Sequence, residues 1–175
     1  MCKTITVNDM LKLMEQLAPK SLAYDWDNVG LQVGSVNKKI RKVMVTLDVL
    51  ENVVDEAIEL NVDLIIAHHP LLFKPLKQLN IETPIGRIVS KLIKYDITVY
   101  ASHTNLDIAN GGVNDMLAEK LQLKSTKVLV ESGSKQLFKL AVYVPESHAE
   151  VLAEALGAAD AGHIGNYSHC MYRTN

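Results

Sequence analysis

The chain has 175 residues, enough for one ordinary domain and part of a second, and its 48% hydrophobic and 22% charged content is that of a globular protein. A formal charge of −2, a pI near 6.3 and only 5% aromatic residues remove the electrostatic and stacking basis for nucleic-acid or anionic-membrane binding. Cys2 and Cys170 are too few for a disulfide framework, no apolar stretch reaches spanning length, and the first residues lack a signal-peptide core, so a cytoplasmic location is expected.

Residues 8–17 carry Met10, Leu13, Met14 and Leu17 at helical spacing, with Asn8 or Asp9 as N-cap and Pro19 beyond the end. A polar, turn-forming segment, Ala23 to Gly30, leads into a short alternating strand over 31–34. Strands are predicted at 43–48, 62–67 and 97–101, separated by helices over 51–60 and 82–95; Thr83 is the N-cap of the second helix and Pro84 its first residue. Gly111-Gly112 precedes a helix over 113–121, with close backbone approach or positive φ the two uses of the glycines. The strand–helix alternation predicts an α/β fold, a mainly parallel sheet flanked by helices.

After Ser132-Gly133-Ser134 the pattern changes. Residues 136–145 alternate as a strand, Ser147 caps a helix bearing Val151, Leu152, Ala155 and Leu156, 157–165 is turn-like, and a further strand begins at Ser168. The expected division is 1–131 as an α/β domain and 132–175 as a partial second one. Such a short second part cannot bury a core by itself, so we expect the chain to be a piece of a longer protein or this part to pack on another subunit.

The chemistry concentrates at two strand ends. His68-His69-Pro70 closes the run Val62 to Ala67, and Ser102-His103-Thr104-Asn105-Leu106-Asp107 closes the run Ile97 to Ala101. Sites of α/β sheets open at the carboxyl ends of the strands, and clustered imidazole and carboxylate donors suit a divalent transition metal. A His-His pair also fits a plain strand cap. Neighbouring strand residues point to opposite faces, so the two rings share one centre only where the strand opens at Pro70, or else bind two metals from either side. Asp107, read as a loop residue, has the two oxygens needed to bridge two cations, and metal pairs roughly 3.5–4 Å apart activate water and stabilise developing oxyanions. His103 is read as orienting Asp107 or a bound water, and Asn105 as satisfying loop backbone. Lys74 and Lys77 fit either a phosphate contact or solvated loop charges. Trp26 and Asp27 are a candidate pocket wall for a stacked heterocycle; the reading favoured for Trp26 is a buried anchor in a turn. G-x-S-x-G, Walker and G-x-G-x-x-G motifs are absent, which removes the carriers of serine-hydrolase, P-loop and Rossmann chemistry.

Ala67-His68-His69-Pro70-Leu71-Leu72-Phe73, Ser102 to Asp107, Gly111-Gly112-Val113-Asn114 and Trp26 to Gly34 together resemble the GTP cyclohydrolase I type 2 homologues, the NGG-interacting-factor-like family. The resemblance covers roughly residues 5 to 130. It implies an α/β protein with two divalent metal ions (zinc, iron or manganese) per complete site, assembled as a homohexamer around an internal cavity. It implies His68 and His69 as ligands of one ion each and Asp107 as the bridge. Gly162 to Cys170 resembles the start of the ferredoxin-like, CutA-like insert domain of longer bacterial members. The family completes its site with a histidine and, four residues later, a glutamate beyond that insert, and this sequence contains no such pair. The expected function is a metal-dependent hydrolase of a nucleotide or phosphate-containing small molecule; the alternative is a non-catalytic oligomeric metal-binding or regulatory protein.

Overall fold

The computed structural model describes residues 4–130, 138–163 and 167–173. The chain divides into two compact units, Met1–Ser132 and Gly133–Asn175.

The first unit is an α/β layer structure with the order α1 (Val7–Leu17), β1 (Gly30–Val33), β2 (Val43–Thr46), α2 (Glu51–Glu59), β3 (Leu64–Ala67), α3 (Pro84–Lys94), β4 (Thr98–Ala101), α4 (Thr104–Ile108) and α5 (Val113–Lys120). The strands lie in the spatial order β1-β4-β3-β2. β2, β3 and β4 are parallel and β1 runs antiparallel at the β4 edge. Side chains alternate across β3 and β4. Ile65, Ala67 and Val99 face a core with Val54, Ala57, Val89 and Leu92 of α2 and α3. Leu64 and Tyr100 face the opposite side with Val7 and Met14 of α1 and with Ile40. Helices therefore cover both faces, which is why the central strands read as continuous apolar runs.

Local chemistry sets the helix ends. Thr83 accepts from the Gly86 N–H at 3.2 Å and Pro84 opens α3, as expected. The N-cap of α1 is Thr6, not Asn8 or Asp9. Thr6 Oγ1 accepts from the Asp9 N–H at 3.3 Å, and Asp9 Oδ2 accepts from the Thr6 N–H at 3.0 Å. Asp9 is thus the third residue of a capping box, a pairing that satisfies two end donors at once. The segment after His103 is helical as far as Ile108, where a loop was expected.

Gly111 and Gly112 realise one glycine use each. Gly111 has φ +72°, whereas a β-carbon on Gly112 would sit 2.0 Å from the Leu106 carbonyl oxygen and 2.7 Å from that of Ala109. Gly111→Ala is expected to cost about 1 kcal/mol through its backbone conformation. Gly112→Ala should cost about 1–3 kcal/mol, because fixed backbone must move. Thermal unfolding of the two variants side by side checks the order.

Asp63 ties the sheet together at its other end. Its Oδ2 accepts from the N–H groups of Arg41 at 2.8 Å and Lys42 at 3.1 Å, its main chain bonds Lys42 and Thr98, and Lys38 Nζ lies 3.8 Å from Oδ1. Burial pushes the carboxyl up, but these two N–H donors, with Lys38 and Arg41, outweigh it and hold the group below its ordinary value of 3.8. A depressed folded-state value means that the contribution is present above the unfolded value and is lost as the pH falls through the folded one. Asp63→Ala is expected to lose about 2 kcal/mol at neutral pH. Denaturant titrations across pH should show the gap between variant and wild type closing below about pH 4.

The second unit holds a 3₁₀ turn at Glu146–His148, then α6 (Ala149–Ala158), with the Cys170 N–H bonded to the Gly162 carbonyl at 2.8 Å. The N-cap of α6 is His148, not Ser147, because the 3₁₀ turn leads directly into the helix. Of the strand expected over 136–145, residues 136 and 137 lie outside the described residues, and 138–145 form no strand. Phe138 and Tyr143 are largely exposed there, so alternation supplies two faces but, among the described residues, no hydrogen-bonding neighbour. Residues 168–173 likewise form no strand.

Candidate metal centre

The parallel register decides where the site forms. Thr46 pairs with Ala67, and Ala67 with Ala101, so β2, β3 and β4 end at one level. The ladder continues one step further, with His68 N–H bonded to Thr46 O, His69 N–H to Leu47 O and Ser102 N–H to Ala67 O. The residues that follow, Asp48, His68-His69 and Ser102-His103, emerge on one rim. Antiparallel β1 begins there, Gly30 opposite Ala101, and delivers Trp26, Asp27 and Asn28 to the same place.

The histidine rings gather with centroids 5.1 Å apart for His68–His69, 5.1 Å for His68–His103 and 5.5 Å for His69–His103. One ring nitrogen from each lies within 4.8 Å of the others. Each Nδ1 meets a group that can only accept. His68 Nδ1 is 3.0 Å from the Ser102 carbonyl, His69 Nδ1 2.7 Å from Asp48 Oδ1, and His103 Nδ1 3.0 Å from Asp27 Oδ1. Neutral imidazoles in these positions carry the proton on Nδ1 and the lone pair on Nε2, the form that binds a metal. Asp107 Oδ1 stands 3.6 Å from His68 Nε2, beyond hydrogen-bond distance, so a carboxyl oxygen and an imidazole nitrogen face each other with no direct bond between them. The donor set fits a divalent transition ion better than a hard cation that prefers oxygen alone.

Asp27 is the buried member. Its side chain is 0% exposed. Oδ2 accepts from the Thr104 N–H and hydroxyl, while Oδ1 takes His103 Nδ1 and the Asn28 N–H. Burial pushes the carboxyl up, yet the hydrogen bonds from Thr104, His103 and Asn28 prevail and keep it below the ordinary value. Asn105, fully buried, accepts from the His103 N–H at 2.9 Å and donates to Ala18 O at 2.7 Å. As expected for a backbone-satisfying role, it pins the turn that presents His103.

The sequence-predicted residues therefore meet, with three differences. His103 joins the histidine cluster and is bonded to Asp27; its ring approaches those of His68 and His69, whereas Asp107 approaches His68 from α4, one helical turn beyond His103. Trp26 is not a buried anchor. It is 59% exposed and lines, with Asp27, Asn28, Leu72, Phe73 and Leu76, an open cleft of about 420 Å³. Asp48 was missed, although it satisfies the criterion that singled out His68: a polar group closing an apolar strand. Lys74 and Lys77 are exposed, with no ion-pair partner among the described residues.

The Duf34/NIF3 (NGG1p interacting factor 3) family matches residues 5–171. The chain belongs to the NIF3 family. It is 55% identical over 172 residues to the "GTP cyclohydrolase 1 type 2 homolog" of Bacillus subtilis, a match covering 98% of this chain and 46% of the relative. Among solved structures it resembles a Bacillus cereus protein related to NIF3, with TM-score 0.70 and 48% identity over 96% of this chain and 46% of that one. It also resembles reduced HcgD from Methanocaldococcus jannaschii, with TM-score 0.70 and 37% identity over 75% and 52%. The chain spans about half the length of these relatives. Among the described residues of this NIF3 chain, no helix is long and apolar enough to cross a membrane.

Because Asp48 is 44% exposed and its carboxylate bonds only His69 among the described residues, Asp48→Ala should leave the unfolding temperature unchanged. It should lower zinc affinity at least about ten-fold by freeing the ring, a separation read by chelator competition alongside calorimetry.

Proposed function

We propose that this NIF3 chain provides the histidine-rich side of a dinuclear divalent-metal centre, in a hydrolase that acts on a nucleotide or another phosphate-containing small molecule. The observation that carries the reading is the approach of Asp107 Oδ1 to 3.6 Å from His68 Nε2 inside a group of three histidines. Without a cation or a proton between them those groups repel; a cation is attracted to both. His68 and His69 would hold the ions with Asp107 as their shared carboxylate, and zinc, iron or manganese would suit the mixed nitrogen and oxygen donors. When bound, such ions supply Lewis acidity and lower the pKa of water.

The chain's own residues provide the orientation. Ser102 O and Asp48 hold the His68 and His69 rings by Nδ1. Asp27 and Asn105 fix His103 beside them, through its ring and its main chain respectively. The name carried by the Bacillus subtilis relative supports a nucleotide-like substrate. The reading extends to self-association as a homohexamer, to a cytoplasmic location, and to 132–175 as the beginning of a ferredoxin-like insert domain. A non-catalytic metal-binding scaffold is the second reading, because three imidazoles and a carboxylate can hold an ion whether or not a reaction follows.

Asp107→Ala and His68→Ala should each lower bound metal at least about ten-fold, measured by elemental analysis after dialysis against a weak chelator. Unchanged metal content in both would sink the proposal. Turnover of any member of a nucleotide and phosphoester panel, lost in His68→Ala, selects the hydrolase; metal binding without turnover across the panel selects the scaffold.

A further inference from the structure

The cleft beside the histidines has walls of an unusual kind for a protein with so few aromatic residues. Trp26 stacks on Tyr24 with centroids 5.5 Å apart and planes 15° from parallel, and meets Phe73 at 6.0 Å and His103 at 6.3 Å in edge-on geometry. An aromatic group with a purely packing role is covered by its neighbours; here Trp26 remains 59% exposed, Tyr24 47% and Phe73 45%.

The wall is held in place by polar contacts. Asn28 Nδ2 donates to Leu72 O at 2.6 Å, Gln32 Nε2 donates to Asn28 O at 2.8 Å, and the Leu72 N–H donates to Gln32 Oε1 at 3.1 Å. These bonds join the segment that carries Trp26 to the one that carries Phe73, so the aromatic surfaces are set before a ligand arrives. At one end of this apolar slot stands the nitrogen-rich cluster, through His103. Lys74 and Lys77, both exposed, alternate in the sequence with the lining residues Phe73, Pro75 and Leu76 and have no anionic partner among the described residues.

We propose that Trp26 is the specificity-determining platform of the site, on which a planar nitrogen heterocycle of a phosphorylated ligand stacks, with its ring edge toward the histidines. The inference rests on the reading of the cluster as a metal centre and names the substrate element recognised beside it. A stacked heterocycle covers exposed indole and keeps its polar edge free for the imidazole end. A sugar phosphate lacking the base has no comparable face to offer the cleft.

Trp26 is the single tryptophan of the chain, so its fluorescence reports on this cleft alone. Titration with guanosine 5′-monophosphate and adenosine 5′-monophosphate is expected to quench it saturably, and ribose 5-phosphate to leave it unchanged. By equilibrium dialysis, Trp26→Ala should weaken nucleotide binding about ten-fold or more, the loss typical of one base–aromatic stack, while Trp26→Phe retains most of the affinity. Both variants should keep wild-type metal content and unfolding temperature. Equal binding of ribose 5-phosphate, no nucleotide binding by the wild type, or wild-type affinity in Trp26→Ala would each overturn the platform. Metal content measured on the same samples separates the two readings: metal without stacking removes the platform alone, and stacking without metal removes the metal centre alone.

Discussion

The site depends on one constraint, the level at which three parallel strands end. With Thr46, Ala67 and Ala101 in register, the first polar residues beyond each strand have nowhere to go but a common rim. A slip of β3 by one residue would turn Ile65 and Ala67 out of the α2–α3 core and move His68 off the rim together. Burial of the strand faces and placement of the imidazoles are therefore the same requirement. Asp63 at the opposite end, clamped to the start of β2 and bonded to β4, holds that register.

A second layer of order comes from what stands behind each ring. The Ser102 carbonyl, Asp48 and Asp27 can only accept, so each directs the Nδ1 proton away from the cluster. The three partners differ in burial. Asp27 is sealed off and charged because Thr104 and Asn28 supply donors as well as His103, which makes the His103 position the most rigidly built of the three. The His69 ring and the Asp48 carboxylate, each nearly half exposed, are joined by a single hydrogen bond.

Much of the architecture is legible along the chain because its signals are local. Thr83 and Pro84 mark a helix start by their own chemistry, and the runs ending at Ala67 and Ala101 mark buried strands by composition. The start of α1 is less legible, because Thr6 and Asp9 share a reciprocal cap and Asp9 looks like an N-cap when read alone. The helix holding Asp107 was hidden by its five-residue length and by the turn-forming residues around it. The alternation over 138–145 shows the converse failure: a period-two pattern describes a strand only where another strand pairs with it. Tryptophan is usually covered, which favours an inward reading of Trp26, whereas in this fold it lies in the segment leading into β1, at the open end of the sheet.

By itself, the sequence determined the residue types of the centre, their position at the ends of apolar strands, the α/β class and the family motifs, since each is written in contiguous residues. Only the tertiary structure decided that Asp48 stands behind His69, that Asp27 reaches across the fold to His103, that Asp107 faces His68 and that Trp26 is exposed above the same rim. Those relations join residues tens of positions apart, and strand register, not local propensity, sets the distances between them.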